Sequence, residues 1–276
     1  MKLPYYEVSA FTTNPFGGNP AGVCPLDVWL PDSVLLGIAA NNNLAETAFV
    51  VPAGSSGILP PVSSIQHHGN NFELRWFTPT VEMDLCGHAT LAAASVLFNE
   101  RGLPGSEVRF HSRSGVLTVA RRGDLLTLDF PSRPPAPSEA SPALIRGLGA
   151  TPKEVFKARD YLAVFSDEAE VRALKPDFAA LKTLDCLGII ATAPGTDCDF
   201  VSRFFAPGAG VDEDPVTGSA HCTLIPFWAQ RLGKAKLCAR QVSPRGGELD
   251  CELAGERVKI AGRAVHYLRG EILIPN

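Results

Sequence analysis

The chain has 276 residues, with 25 Lys and Arg against 29 Asp and Glu and a net charge of −4. That length fits one large domain or two ordinary ones with real cores. The acidic balance and the lack of a Lys/Arg cluster exclude an electrostatic nucleic-acid binder. The most apolar run, residues 89–98, is far shorter than the ~20 residues of a membrane helix.

Arg121-Arg122 is the densest basic step and reads as a solvated hairpin end. The start, Met1-Lys2-Leu3-Pro4, carries no apolar signal region, so none is expected. Seven cysteines are scattered without a CxxC pair. They predict no disulfide framework and no zinc or other metal site, and a reducing cytoplasm fits them best.

Along the chain, residues 47–51 read as a strand entering the core. Residues 73–78 and 116–130 are rich in β-branched and aromatic residues and read as strands, with Arg122-Gly123-Asp124 as a hairpin turn. His67-His68, in a Gly/Asn-rich stretch, reads as a loop and not a metal site. Pro131-Ser-Arg-Pro-Pro-Ala-Pro137 is a linker or edge segment. It divides the chain into an N-terminal half, 1–130, and a C-terminal half, 131–276, whose last strand can return to the first half. In the second half, residues 186–192, 199–205, 247–253 and 257–260 read as strands, the last two separated by an Ala254-Gly255 turn.

The halves carry an internal repeat. Arg75-Trp-Phe-Thr-Pro79, Cys86-Gly-His-Ala-Thr90 and Arg113-Ser-Gly115 occur in the first. Arg203-Phe-Phe-Ala-Pro207, Thr217-Gly-Ser-Ala220 and Arg245-Gly-Gly247 occur in the second. The offsets are 128 (Phe77 to Phe205), 131 (Gly87 to Gly218) and 132 (Gly115 to Gly247). Residues 88–98 and 220–229 are apolar on nearly every side, the mark of a buried helix. Each half is therefore expected to wrap a curved sheet around one central helix. Pro226 should kink the second helix, because its ring clashes with the carbonyl of Cys222.

Both helices start at a glycine, Gly87-His88 and Gly218-Ser219. Free backbone N–H groups and the positive dipole end make such starts anion sites, and glycine admits a ligand close to the backbone. Plain N-capping by Ser219 is the simpler reading of that helix alone. Glu46 lies in Asn41-Asn-Asn-Leu-Ala-Glu-Thr-Ala-Phe-Val50 between apolar neighbours. A carboxylate there loses hydration, which suits a general acid/base. Composition alone favours a surface Glu at a helix-to-strand junction. Asp214 either offsets the helix dipole or holds a substrate amine or hydroxyl. His88 either caps its helix or bonds a substrate carboxylate. Thr217 stands at the repeat position of Cys86, and Cys222 lies a turn inside its helix. A two-thiol racemase therefore looks broken, and Cys86 reads as a small packed residue.

Five segments together resemble a known family. They are Phe11-Thr-Thr-Asn-Pro-Phe-Gly-Gly-Asn-Pro-Ala-Gly-Val23, Asn43-Leu-Ala-Glu-Thr-Ala-Phe49, Phe77-Thr-Pro79, Leu85-Cys-Gly-His-Ala-Thr-Leu91 and Glu213-Asp-Pro-Val-Thr-Gly-Ser-Ala220. In order and spacing this series is similar to that of the PhzF-like proteins of phenazine biosynthesis. The resemblance implies a diaminopimelate epimerase-like α+β fold of two similar domains with the active site in the cleft between them. In the best-understood member, a carboxylate matching Glu46 shuttles a proton in isomerising a dihydro-hydroxyanthranilate. Positions matching His88, Asp214 and Ser219 line that site, with the backbone at Gly87 and Gly218, and Asn19 is carried as a further substrate-binding position. The family implies no cofactor and a homodimer. Gln241-Val-Ser-Pro-Arg-Gly-Gly247 departs from the Gln-Gly…Gly-Arg-Pro pattern of the phenazine enzyme, so the substrate is not transferred.

The expectation is thus an isomerase moving a proton on a small carboxylate through Glu46. A thiol-type racemase using Cys86, or a non-enzymatic small-acid binding protein on the same fold, are the alternatives.

Overall fold

Short segments rich in β-branched and aromatic residues, broken by glycine turns, build a protein dominated by strands. A computed structural model describes residues 1–54 and 69–274; His67 and His68 fall outside them. In chain order the first elements are β1 (Lys2–Ala10), β2 (Asn19–Pro25), α1 (Asp32–Asn42), β3 (Glu46–Pro52), β4 (Asn71–Phe77), β5 (Glu82–Met83), α2 (Gly87–Asn99), β6 (Glu107–Ser112), β7 (Gly115–Arg122) and β8 (Leu125–Pro131). There follow β9 (Ala136–Ser138), α3 (Pro142–Leu148), β10 (Glu154–Lys157), β11 (Tyr161–Val164), α4 (Glu168–Ala173), α5 (Phe178–Leu181), β12 (Ile189–Pro194) and β13 (Phe200–Ala206). The last are β14 (Val211–Asp214), α6 (Gly218–Leu232), β15 (Lys236–Gln241), β16 (Gly247–Ala254), β17 (Arg257–Gly262) and β18 (Ala264–Leu273).

Two compact units result, Met1–Asp129 with Ala261–Asn276, and Phe130–Ile260. In the first, β18–β1 and β1–β2 are antiparallel, β2–β3 parallel, β3–β4 and β4–β5 antiparallel, β4–β6 parallel, and β6–β7 antiparallel. In the second, β9–β10 and β10–β11 are antiparallel, β11–β12 parallel, β12–β13 and β13–β14 antiparallel, β13–β15 parallel, and β15–β16 antiparallel. The two series match step for step. Each parallel step needs a long crossover, and a helix fills it. α1 and α2 serve the first unit; α4 with α5, and α6, serve the second. The repeat seen in the sequence is therefore a repeat of topology.

Every residue of α2 from Gly87 to Phe98 is buried, and the helix packs on β1, β2, β3 and β18. From Ala220 to Ala229 α6 is likewise buried, packed on β15 and β16. Trp228 of α6 stacks on Phe200 and donates its indole N–H to Thr192 Oγ1 at 3.0 Å, so its polar edge is satisfied inside the core.

Pro226 is tolerated for a specific reason. It has no N–H to give the carbonyl of Cys222, and the backbone N–H of Arg133 donates to that carbonyl at 2.8 Å instead. The Pro-rich stretch expected as a linker thus has a structural task. Its end forms β9, which runs along β10. No helix among the described residues is long and apolar enough to cross a membrane. All seven cysteines are free thiols.

Candidate active site

Asn43 ends α1 in the left-handed conformation (φ 51°), its N–H bonded to the carbonyl of Ala39. Asparagine accepts that geometry better than other non-glycine residues. Three residues later Glu46 opens β3, opposite Ala21 of β2 in parallel register. Asn19, the first residue of β2, lies on the same pair of strands. α2 begins at Gly87 and puts His88 in its first turn, with Cys86 at the N-cap.

These elements bring four side chains together. His88 Nε2 is 3.2 Å from Glu46 Oε2, and His88 Nδ1 is 3.1 Å from Asn19 Nδ2 and 3.5 Å from Cys86 Sγ. The Asn19 amide N–H donates, so Nδ1 is the accepting nitrogen of a neutral ring and the ring proton sits on Nε2, toward Glu46. The Nε2–Oε2 approach is close but falls outside good hydrogen-bond alignment. Burial pushes the His88 pKa down to about 3. The imidazole is neutral near pH 7 because its charge would be unsolvated. His88 has 4% of its side chain exposed and Glu46 14%, so the carboxylate is the member of the pair that a ligand can reach.

Glu46, Cys86 and His88 each bring one metal-capable atom within 4.8 Å of the others. The thiol faces Nδ1 and the carboxylate faces Nε2, so the ring stands between them. Cys86 is buried as expected, and its sulfur packs against the candidate pair.

In the second unit, Asp214 ends β14 and accepts a 2.5 Å hydrogen bond from Thr217 Oγ1. Gln241 locks this corner. Its Oε1 accepts from the Thr217 N–H at 2.8 Å, and its Nε2 donates to the Asp214 carbonyl at 2.7 Å. Ser219 is not the N-cap of α6. Thr217 holds that place, because the helix starts at Gly218, and the Thr217 hydroxyl is turned to Asp214. His88, likewise, lies inside α2 and does not cap it. Neither Cys86 nor Thr217 bonds a first-turn N–H with its side chain. Ser219 is the one residue from Gly218 to Ala229 that is not buried, and its hydroxyl accepts from Arg159 Nη2 at 3.1 Å. Asp160 holds that guanidinium at 2.8 Å. Cys222 is fully buried, and burial pushes its pKa up to about 11, so it is no thiolate at neutral pH.

With this geometry in place, the comparisons identify the group. The model of phenazine biosynthesis-like proteins matches residues 8–270. The chain belongs to that family. An uncharacterized isomerase of Pseudomonas aeruginosa is 50% identical over 272 residues, 99% of each chain. A PhzF-family phenazine biosynthesis protein from Enterococcus faecalis has a crystal structure similar to this one. Its TM-score is 0.92, with 45% identity over 99% of this chain and 100% of that one. A predicted epimerase of Pseudomonas aeruginosa, 19% identical with a TM-score of 0.74 over 99% of this chain and 100% of that one, shares the fold. The fold is thus the epimerase-like α+β architecture, and this phenazine biosynthesis-like chain is an isomerase.

Two features of this family member escaped the sequence reading. Arg75 holds Glu82 with two bonds of 2.7 Å, and Arg203 holds Glu213 at 2.7 and 2.8 Å. The guanidinium of each lies over a phenylalanine two residues on, Phe77 at 5.0 Å and Phe205 at 4.9 Å. The two arginines were visible as repeat landmarks. Their glutamates, 131 apart, were the unused signal. Nothing local in the sequence says that the Gln241 amide reaches back to Asp214.

Proposed function

We propose that Glu46 is the acid/base of a cofactor-independent isomerisation of a small carboxylate. The Glu46 carboxylate takes a proton from one carbon and returns it to another, so that no other reactant is consumed. The observation that carries this reading is the Glu46–His88–Asn19 chain. Burial holds the His88 pKa down to about 3, so the imidazole beside Glu46 stays neutral. His88 then acts as a neutral Nε2–H group that faces Glu46, and Asn19 is the residue that fixes its tautomer.

Each unit offers backbone N–H groups of its own for a substrate carboxylate, at the start of α2 in the first and of α6 in the second, where Gly87 and Gly218 present no side chain. Ser219 supplies a hydroxyl, and Asp214 meets an amine or hydroxyl of the substrate. Two supports are the helix starts free of side-chain caps and the network that holds Asp214 in place. The test is deuterium uptake from heavy water into candidate cyclic and amino carboxylates. Glu46→Gln should lose it by about 10²–10⁴-fold, while Ser219→Ala and Asp214→Asn should act mainly through KM. Exchange by Glu46→Gln at the wild-type rate would sink the assignment.

One observation favours a second reading, in which Cys86 is the base: its sulfur lies 3.5 Å from His88. The buried, protonated Cys222 weighs against a thiol pair, and Cys86→Ser separates the two mechanisms.

A further inference from the structure

In the second unit, positive charge gathers at the first turn of α6, and the fold answers only part of it. Arg159 and Asp160 lie in the connection from β10 to β11. Asp160 has 1% of its side chain exposed and holds the Nε and Nη2 edge of Arg159, with Nη2 at 2.8 Å. The same Nη2 donates to Ser219 Oγ at 3.1 Å. The place of this contact follows the repeat. In the first unit, Asn19, at the start of β2, meets His88, the second residue of α2. In the second, Arg159, just before β11, meets Ser219, the second residue of α6. An amide on an imidazole gives way to a guanidinium on a hydroxyl.

Arg133 reaches the same turn. Its backbone N–H bonds the Cys222 carbonyl at 2.8 Å, and Cys222 lies three residues after Ser219, on the same face of the helix. Burial raises the Cys222 thiol, and Arg133 and Arg159 both draw it back down. Both guanidinium groups are therefore within electrostatic reach of one side chain. Arg159 has Asp160 as its counter-ion; Arg133 has no ion pair among the described residues. Its Nη1 is also the one arginine nitrogen among them that is buried without a hydrogen-bond partner. A guanidinium nitrogen shut away from water is costly until it meets an acceptor.

Three donors are thus uncommitted among the described residues. They are Arg133 Nη1, Arg159 Nη1 and the hydroxyl proton of Ser219, whose oxygen already accepts. Donors that carry positive charge select a ligand rich in lone pairs and negative charge. We propose that Arg133, Arg159 and Ser219 form an oxyanion-binding site within the second unit, which takes a carboxylate or a phosphate group. Guanidinium groups hold either one through charge-assisted hydrogen bonds. Ser219 is shared with the reading of the function given above, but the two arginines are not, and the site does not depend on Glu46.

The test is isothermal titration of the full chain with benzoate, with inorganic phosphate, and with benzamide as the neutral control. Wild type should bind at least one of the anions and not benzamide, and the tighter anion tells a carboxylate site from a phosphate site. Arg133→Gln should weaken that binding about tenfold or more, as loss of a charge-assisted hydrogen bond does. Arg133→Lys should keep part of it. Both variants retain the backbone N–H to Cys222, and dichroism spectra like that of wild type confirm folding. Glu46→Gln should titrate as wild type does, so failure of the proton-transfer reading and failure of this site are told apart. A wild type that binds neither anion, benzamide binding as tight as benzoate, or Arg133→Gln binding as tight as wild type would each overturn the proposal.

Discussion

The two units share one plan and differ in the side chains at the start of the buried helix. Each runs the same series of parallel and antiparallel pairings, threads a buried helix that starts at glycine, and clamps a strand with an Arg–Glu pair beside a phenylalanine. Even the first turns correspond. Thr90 Oγ1 donates to the Cys86 carbonyl, and His221 Nδ1, 131 residues on, lies 2.8 Å from the Thr217 carbonyl. At the helix start the units part. The first holds a carboxylate, a neutral imidazole, an amide and a thiol in one cluster. The second holds a hydroxyl beside a guanidinium, and a residue, Asp214, whose carboxylate accepts from Thr217 and whose backbone carbonyl accepts from Gln241. A duplicated scaffold thus carries different polar groups in its two copies, because the framework tolerates change at the first helical turn.

That comparison can be broken in several places. The largest effect expected is the loss of exchange on Glu46→Gln, which would confine acid/base work to the first unit. Next come the clamps, which look alike but are not equally replaceable. Arg203 is nearly buried, and its Nη1 also donates to the carbonyls of Val171 and Leu174 at the end of α4. Arg203→Met leaves Glu213 without its guanidinium and should cost about 3–5 kcal/mol in urea unfolding. Glu82 keeps Arg113 at 2.6 Å when Arg75 is lost, so Arg75→Met should cost roughly 1–2 kcal/mol. Equal costs would show that the second guanidinium contributes nothing.

A third prediction concerns pH. Burial lowers His88 to about 3 and His221 to about 4, the latter partly offset by its bond to the Thr217 carbonyl. Both lie below the ~6.5 of an unfolded histidine. The unfolded chain therefore binds these protons first. Their contribution is complete above about pH 6.5 and is lost as pH falls toward 4, by ~1.4 kcal/mol per pH unit for each histidine. His221→Gln should flatten the slope of unfolding free energy against pH by about one proton; an unchanged slope would show that His221 is not held neutral. The smallest effect is expected for Cys86→Ser, with turnover within about threefold of wild type if sulfur only packs beside His88, since loss of an acid/base group costs 10²-fold or more. A loss on that scale would transfer the base from Glu46 to the thiol.

The sequence by itself determined the fold class, the repeat and both buried helices. Apolar residues on every side of a helix leave no stable place but a core, and Gly87 and Gly218 mark where each helix starts. It also singled out Glu46 as a candidate, through the motif series and not through its composition. Tertiary structure decided the rest. Strand pairing brings Asn19 to His88 across 69 residues, and Gln241 to Thr217 across 24. It turned the Thr217 hydroxyl away from a capping role, and it put Cys86 against the imidazole. Periodicity reports which face of an element is buried. It does not report which polar atoms the chain, once closed, sets within 3 Å of one another, because those distances depend on register between distant strands.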